Sequence, residues 1–332
     1  MFIKNIETSS MKIPLKTAFV TALRRVEDVE FIRVRILFED GRSSLGEAPA
    51  TKAITGEDLE DIAHSIESVK GKLLGVNAVD ALDILHRQNI GSSAKAALDM
   101  ALFFHTKRLH IEDTTPIKTD VTISLNSVEE MLADAKKAFH NGYDILKVKL
   151  GSDIKHAIEM TLRLAKELPN AVLLIDANQA WSVADTSKYL NAVAGVKIEL
   201  IEQPVKADDL EGLKRITAAA SVPILADEAA FSLEDVKNIY TLNAADMINI
   251  KLMKCGGVSK AIEILEYARA KKMPCMLGSM LEGPISIEAA CQLAFAYRDI
   301  IRYVDLDSPL LYQEIPRTLT CHYDKNSISL KS

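Results

Sequence analysis

The sequence predicts an α/β chain in which a closed parallel β/α barrel, short of its last helix, is joined to a smaller α+β unit. Three observations carry this reading. From about residue 117 onward, short β-branched runs ending in polar residues alternate with longer segments of helical period. Eight such runs occur, and eight parallel strands with covered faces close into a barrel. Residues 1–112 carry a different pattern, that of an antiparallel meander followed by helices.

In chain order, "FIKNIETSSMKI", "EFIRVRILFEDG" and "SSLGEAP" read as the meander, and "SSAKAALDMALFFHTKRL" as a helix behind it. The eight barrel strands are "IKTDVTISL", "DILKVKL", "AVLLIDA", "VKIELIEQP", "VPILADE", "DMINIKL", "MPCMLGS" and "IIRYVDLD". Between the first two, Ser127 and Glu130 fit a capping box, Met131, Leu132, Ala135 and Phe139 form one apolar face, and Asn141-Gly142 ends the helix. Ser232 and Asp235 fit a second cap of the same kind. About two dozen residues follow the eighth strand, and the eighth helix is expected to be missing or replaced. The expected division is residues 1–112 for the α+β unit and 113–311 for the barrel, with 312–332 returning to the first unit. No linker rich in Gly, Ser or Pro separates the two, so they are expected to pack tightly.

Composition removes several function classes. With 48% hydrophobic and 26% charged residues and a formal net charge of −6 over 332 residues, there is no basic excess to attract nucleic acid. The amino terminus lacks the apolar core of a signal peptide, and no stretch approaches the roughly 20 apolar residues that span a bilayer. A cytoplasmic protein with no membrane partner is expected; a homo-oligomer is compatible with the sequence. Cys255, Cys275, Cys291 and Cys321 show no C-x-x-C spacing and are read as buried thiols.

In a β/α barrel the chemistry lies at the carboxyl ends of the strands. Those ends hold Lys149, Asp176, Glu202, Asp227 and Lys251, at successive spacings of 27, 26, 25 and 24 residues, each about one βα unit. Three carboxylates on consecutive strands converge, and their repulsion requires a positive charge between them. A hard divalent cation fits, and open positions in an octahedral shell suit Mg²⁺, one per subunit, binding substrate directly. Zinc chemistry fits poorly, since none of the seven histidines ends a predicted barrel strand and H-E-x-x-H is absent. No phosphate-binding glycine loop is present either.

Lysines on the second and sixth strands lie on either side of the acidic strands. Lys147, two residues before Lys149 on the same strand face, supplies a neighbouring cation that lowers the pKa of a lysine base. A substrate carboxylate chelated to Mg²⁺ has an acidified α-proton, because the metal stabilises the enediolate formed on proton loss. One lysine can remove that proton and the other return one to the opposite face, which inverts the α-carbon.

The segments "KVK", "DAN", "EQP", "ADE" and "NIKLMKCGG", in this order and spacing, resemble the enolase superfamily and, within it, the muconate lactonizing enzyme group. The resemblance spans nearly the whole chain. It implies a (β/α)7β modified TIM barrel under an α+β capping domain, with Asp176, Glu202 and Asp227 as Mg²⁺ ligands. Lys149 and Lys251 are then the acid/base pair, Lys147 an electrostatic aid, and Asn178 and Glu228 partners of the ligands.

Narrower signals resemble the dipeptide epimerases similar to L-Ala-D/L-Glu epimerase. "YVDLDSP" supplies the Asp305-x-Asp307 pair that in those enzymes holds the ammonium of a dipeptide substrate. "GSM" places Gly278, Ser279 and Met280 beside the substrate. "TALR" places Arg24 against an acidic side chain. "ITGED", around Thr55, matches a closing loop over the site. The implied activity is epimerisation of L-Ala-D/L-Glu-type dipeptides at the carboxy-terminal residue, as in recycling of peptidoglycan peptides. The competing readings are muconate cycloisomerase, o-succinylbenzoate synthase or N-acylamino acid racemase chemistry, whose substrates offer Asp305 and Asp307 no free ammonium, and a catalytically silent binding protein.

Overall fold

Residues 1–21 and 25–330 are described in the computed structural model. Three strands, β1 (Ile3–Val20), β2 (Arg25–Phe38) and β3 (Ser43–Pro49), pair antiparallel in the order β1-β2-β3. Alternation along β2 explains how this sheet serves two neighbours. Ile32, Val34, Ile36 and Phe38 join the main core, whereas Val29 and Phe31 pack on the other face with Leu15, Leu281 and Tyr312. Helix Ser92–Thr106 lies between β3 and the barrel helices, and it is apolar on several faces because each of those faces is covered.

After the short β4 (Ile117–Lys118) come the barrel strands β5 (Val121–Ile123), β6 (Ile145–Lys149), β7 (Val172–Asp176) and β8 (Leu200–Glu202). They continue as β9 (Ile224–Ala226), β10 (Met247–Ile250), β11 (Cys275–Gly278) and β12 (Ile301–Asp305). All eight pair in sequence order, in parallel register. The seam between β12 and β5 is tied by Asp120 N–H to Val304 O at 3.1 Å, Leu306 N–H to Thr119 Oγ1 at 2.9 Å and Thr122 N–H to the Asp307 carboxylate at 2.7 Å. Among the described residues, seven helices of ten residues or more, one after each of β5 to β11, cover the outside. Helix Ile154–Glu167 is representative, burying Ala157, Met160, Thr161 and Leu164 at helical spacing. Among the described residues, the one helical segment after β12 is the four-residue turn Ser308–Leu311, which makes the architecture (β/α)7β.

Inside the barrel, Leu174, Leu200, Leu225, Met247 and Met276 form an apolar cluster separate from the main core, with Ile145, Val172 and Tyr303 against it. They come from β6 to β12 and fill the end where the strands begin.

Helix caps follow local sequence in most of the barrel. Ser232 and Asp235 make the full reciprocal box. At Ser127 the expected box is half formed: the hydroxyl accepts from Glu130 N–H, but Ser127 N–H turns to Asn126 Oδ1 and the Glu130 carboxylate takes the hydroxyl proton instead. Among the described residues, two barrel helices are capped from a distance. Helix Val258–Lys271 begins after Gly257 and helix Pro284–Ala296 after Gly283, neither with a side-chain cap of its own. Asp99, on the helix Ser92–Thr106, accepts from Ser259 N–H at 3.0 Å, and Glu47, on β3, from Ile285 N–H at 2.8 Å. A Cβ at Gly257 or Gly283 would lie 2.4 Å from the respective carboxylate, so glycine is required at both.

The chain end divides. Gln313 N–H donates to Pro14 O, beside the β1–β2 hairpin, while β13 (His322–Asp324) and β14 (Ser327–Ser329) pair with β4 next to the barrel. Cys275, Cys291 and Cys321 are buried free thiols and Cys255 is half-buried, as their spacing suggested. Among the described residues, no helix is long and apolar enough to cross a membrane.

Candidate active site

Lys147 and Lys149 point into the barrel, 1% and 7% exposed, which excludes a solvated edge. Lys149 Nζ lies 2.5 Å from Asp176 Oδ2. Lys147 Nζ bridges three carboxylates: Asp305 at 2.6 Å, Glu202 at 2.7 Å and Asp176 at 3.4 Å. Burial disfavours its charge, but Asp305, Glu202 and Asp176 outweigh that and hold the ammonium well above the ordinary lysine range.

Register brings the acids together, since Lys149 pairs with Asp176 across β6 and β7, and Asp176 with Glu202 across β7 and β8. Asp227 follows β9, and Lys251 Nζ is 2.7 Å from its Oδ2. On the other oxygen, Oδ1, sits Lys254 Nζ at 2.6 Å. Burial would raise the Asp227 carboxyl, yet Lys251 and Lys254 pull it below the usual carboxylate range. Burial, and then Asp176, push Glu202 up to about 7. Lys251, penalised by burial, is nonetheless held above the usual lysine value by Asp227. At Lys251 and Lys147 the paired carboxylates outweigh the penalty of burial.

The loops after β7 and β8 carry strain. Asn178, Gln179 and Gln203 have φ of 45°, 66° and 36°, conformations that cost roughly 1–3 kcal/mol each in non-glycine residues. The strained turn returns Asn178 N–H to Asp176 Oδ1 at 2.9 Å. Asn178 Nδ2 donates to Glu228, whose carboxyl is pushed up to about 8 by burial and by Asp227. Gln203 Oε1 accepts from the backbone of Asp227 and Ala229, and Asn249 Nδ2 donates to Glu202 at 2.8 Å. Gln203, Asn249 and Lys254 were not singled out in the sequence, although each lies in a quoted motif. Asn249, two residues before Lys251, was accessible through strand alternation.

Asp305 and Asp307 are 5% exposed and line the central cavity with Lys149, Lys251, Asp227 and Glu228. Ser279 and Met280 line it too. Gly278 is needed for space: a Cβ there would come 2.7 Å from Asn249 Oδ1 and 3.1 Å from Lys251 Cε. From the first unit, Phe19, Thr21, Ala53 and Ile54 close the cavity. Thr55 does not join them, because its hydroxyl bonds to Thr51 O and Ser93 Oγ. Arg24 lies outside the described residues.

Two acidic groups invite a cation. The oxygens of Asp120, Asp305 and Asp307 lie within 4.8 Å of one another. Asp176, Glu202 and Asp227 are spaced by the ammonium groups of Lys147, Lys149, Lys251 and Lys254. The second set suits a hard divalent ion better. It offers three carboxylates on adjacent strands, and the nearby buried oxygens Asn178 Oδ1 and Glu228 Oε2 accept no hydrogen bond.

An eight-stranded barrel whose strand ends gather lysines and carboxylates around one pocket, under a covering α+β unit, is an enzyme scaffold of a recognisable class. The chain belongs to the enolase C-terminal domain-like family, whose model matches residues 130–325. It is 54% identical to an L-amino acid-D/L-Glu epimerase of Sulfurimonas denitrificans, across 98% of both chains. Among solved structures it resembles the substrate-liganded L-Ala-D/L-Glu epimerase of Bacillus subtilis, with a TM-score of 0.92 and 36% identity over 100% of this chain and 97% of that one. The dipeptide epimerase of Enterococcus faecalis, in complex with Mg and L-Leu-L-Tyr, gives a TM-score of 0.92 and 32% identity over 100% and 98%.

Proposed function

We propose that this chain is a Mg²⁺-dependent dipeptide epimerase that inverts the α-carbon of the carboxy-terminal residue of L-Ala-D/L-Glu-type dipeptides. The observation that carries the reading is the pair of buried ammonium groups on opposite walls. Lys149 ends β6 and Lys251 follows β10, four strands apart in a ring of eight, and both face the same cavity. A substrate α-carbon between them presents one face to each, so proton removal by one and delivery by the other gives inversion. Asp176, Glu202 and Asp227 would hold Mg²⁺, which when bound supplies the charge that acidifies the α-proton of a coordinated carboxylate. Asn178 fixes Asp176 through its backbone N–H, and Lys147 keeps a permanent charge among Asp176, Glu202 and Asp305. Asp305 and Asp307 take the substrate's ammonium, and Arg24 an acidic side chain. The names of the similar enzymes support both the reaction and an acidic carboxy-terminal residue. Turnover of peptidoglycan peptides in the cytoplasm is the setting proposed.

The test is incubation with Mg²⁺ and a dipeptide library in D₂O, followed by mass spectrometry of α-deuterium. Exchange is expected at the carboxy-terminal residue of Ala-Glu dipeptides; exchange confined to N-acyl amino acids, or none, would overturn the proposal.

A further inference from the structure

We propose that Asp120 is a positioning residue of the ammonium subsite: sealed behind Asp305 and Asp307, it carries a proton and donates it as a hydrogen bond to the Asp305 carboxylate. The inference rests on the reading of Asp305 and Asp307 as the place where a dipeptide's amino terminus binds.

Asp120 is 0% exposed and stands at the barrel seam, its N–H fixed to Val304 O at 3.1 Å. Among the described residues, neither of its carboxyl oxygens has a hydrogen-bond donor, although both are buried. A fully buried carboxylate without a donor is costly, and here two more carboxylates lie within 4.8 Å. Among the described residues, Lys147 is the cation acting on Asp120, and Lys147, Lys251 and Lys149 act on Asp305. Lys147 is 2.6 Å from Asp305, but it also serves Glu202 and Asp176; Asp307 takes its hydrogen bond from Thr122 N–H. With no donor available to Asp120, the acid itself becomes the donor, two carboxyl groups sharing one proton. Burial first, then Asp305 and Asp307, push its carboxyl well above the usual carboxylate range, in agreement with the geometry.

Asp305 and Asp307 line the cavity and Asp120 does not, so Asp120 acts through them. It holds Asp305 from behind and leaves two negative charges, rather than three, to meet one substrate ammonium and Lys147. The consequence is selectivity for a free amine.

The experiment uses the Mg²⁺-loaded enzyme with L-Ala-L-Glu and its N-acetyl derivative. Wild type is expected to prefer the free amine by about 10²-fold or more in kcat/KM, as a site built around a polar group does. Asp120→Asn, neutral and still a donor, should stay within about threefold of wild type, whereas Asp120→Ala should raise KM for L-Ala-L-Glu about tenfold with kcat little changed and the N-acetyl substrate unaffected. If wild type does not discriminate, the reading of Asp305 and Asp307 falls. If it does, but Asp120→Asn loses as much as Asp120→Ala, or Asp120→Ala loses nothing, the proposal for Asp120 is overturned. A readout independent of folding in the alanine variant is the infrared difference between wild type and Asp120→Asn at pH 7. A protonated carboxylic acid band lost in the variant supports the proposal, and its absence from wild type overturns it.

Discussion

Two residues apart on the same strands, the barrel interior passes from hydrocarbon to ions. Leu174 precedes Asp176, Leu200 precedes Glu202, Leu225 precedes Asp227, Met247 precedes Asn249 and Tyr303 precedes Asp305. Both layers are almost wholly buried, yet one contains no charge and the other scarcely anything else. Burying so many ions costs folding free energy even when they are paired. The apolar layer directly beneath, with the helices outside, offsets that cost and fixes the strand register that aims the ions. One end of the barrel therefore supplies stability and the other reactivity, and substitutions should separate the two.

The largest effect is expected at the reactive end. Lys251→Ala and Lys149→Ala should each lower α-proton exchange from one stereoisomer by about 10²–10⁴-fold. Exchange from both stereoisomers at wild-type rates in either variant would remove the two-base assignment. At the apolar end, Leu225→Ala should cost about 2–5 kcal/mol in urea denaturation while activity per folded molecule stays within a few-fold. Activity loss without stability loss would show that the layers are not separable in this way. Glu47→Gln, which weakens both the distant cap and the ion pair with Arg33 while keeping the side chain's shape, should cost about 1–3 kcal/mol and shift KM more than kcat, because the loop it supports bears Ser279 and Met280.

The gentlest effect is a slope with pH. Burial pushes the Glu282 carboxyl up to about 7, so the folded chain binds that proton more tightly than the unfolded one. Its stabilisation is complete below the ordinary glutamate value of 4.5 and disappears as pH rises through about 7. Denaturation midpoints of wild type should therefore decline between about pH 5 and 8 relative to Glu282→Gln, and parallel curves would refute this.

Much of this contrast was legible in the sequence. "LLID", "LIE", "ILAD" and "MINIK" each place an apolar residue two positions before a polar one, which strand alternation turns into stacked layers. The repeat of about 25 residues set the carboxylates on neighbouring strands. Asp120 escaped notice because an acid ahead of a strand has the same local signature as a turn residue, and only closure of β12 on β5 seals it. Spacing does not reveal that the Thr55 hydroxyl is satisfied by its own turn while its neighbour Ile54 lines the cavity. Glu47 and Asp99 cap helices 238 and 160 residues away, and no local pattern encodes a partner at that distance.

Those two distant caps bear on how the molecule can be recombined. The helices after the sixth and seventh barrel strands complete their first turns with carboxylates from the amino-terminal unit, seated in spaces that only Gly257 and Gly283 leave open. A chimera that takes its covering unit from one relative and its barrel from another must inherit acid and glycine together. A barrel expressed alone would expose two uncapped helix ends beside the loops that bear Lys251 and Ser279. The boundary between the two units is thus a seam in sequence but not in hydrogen bonding.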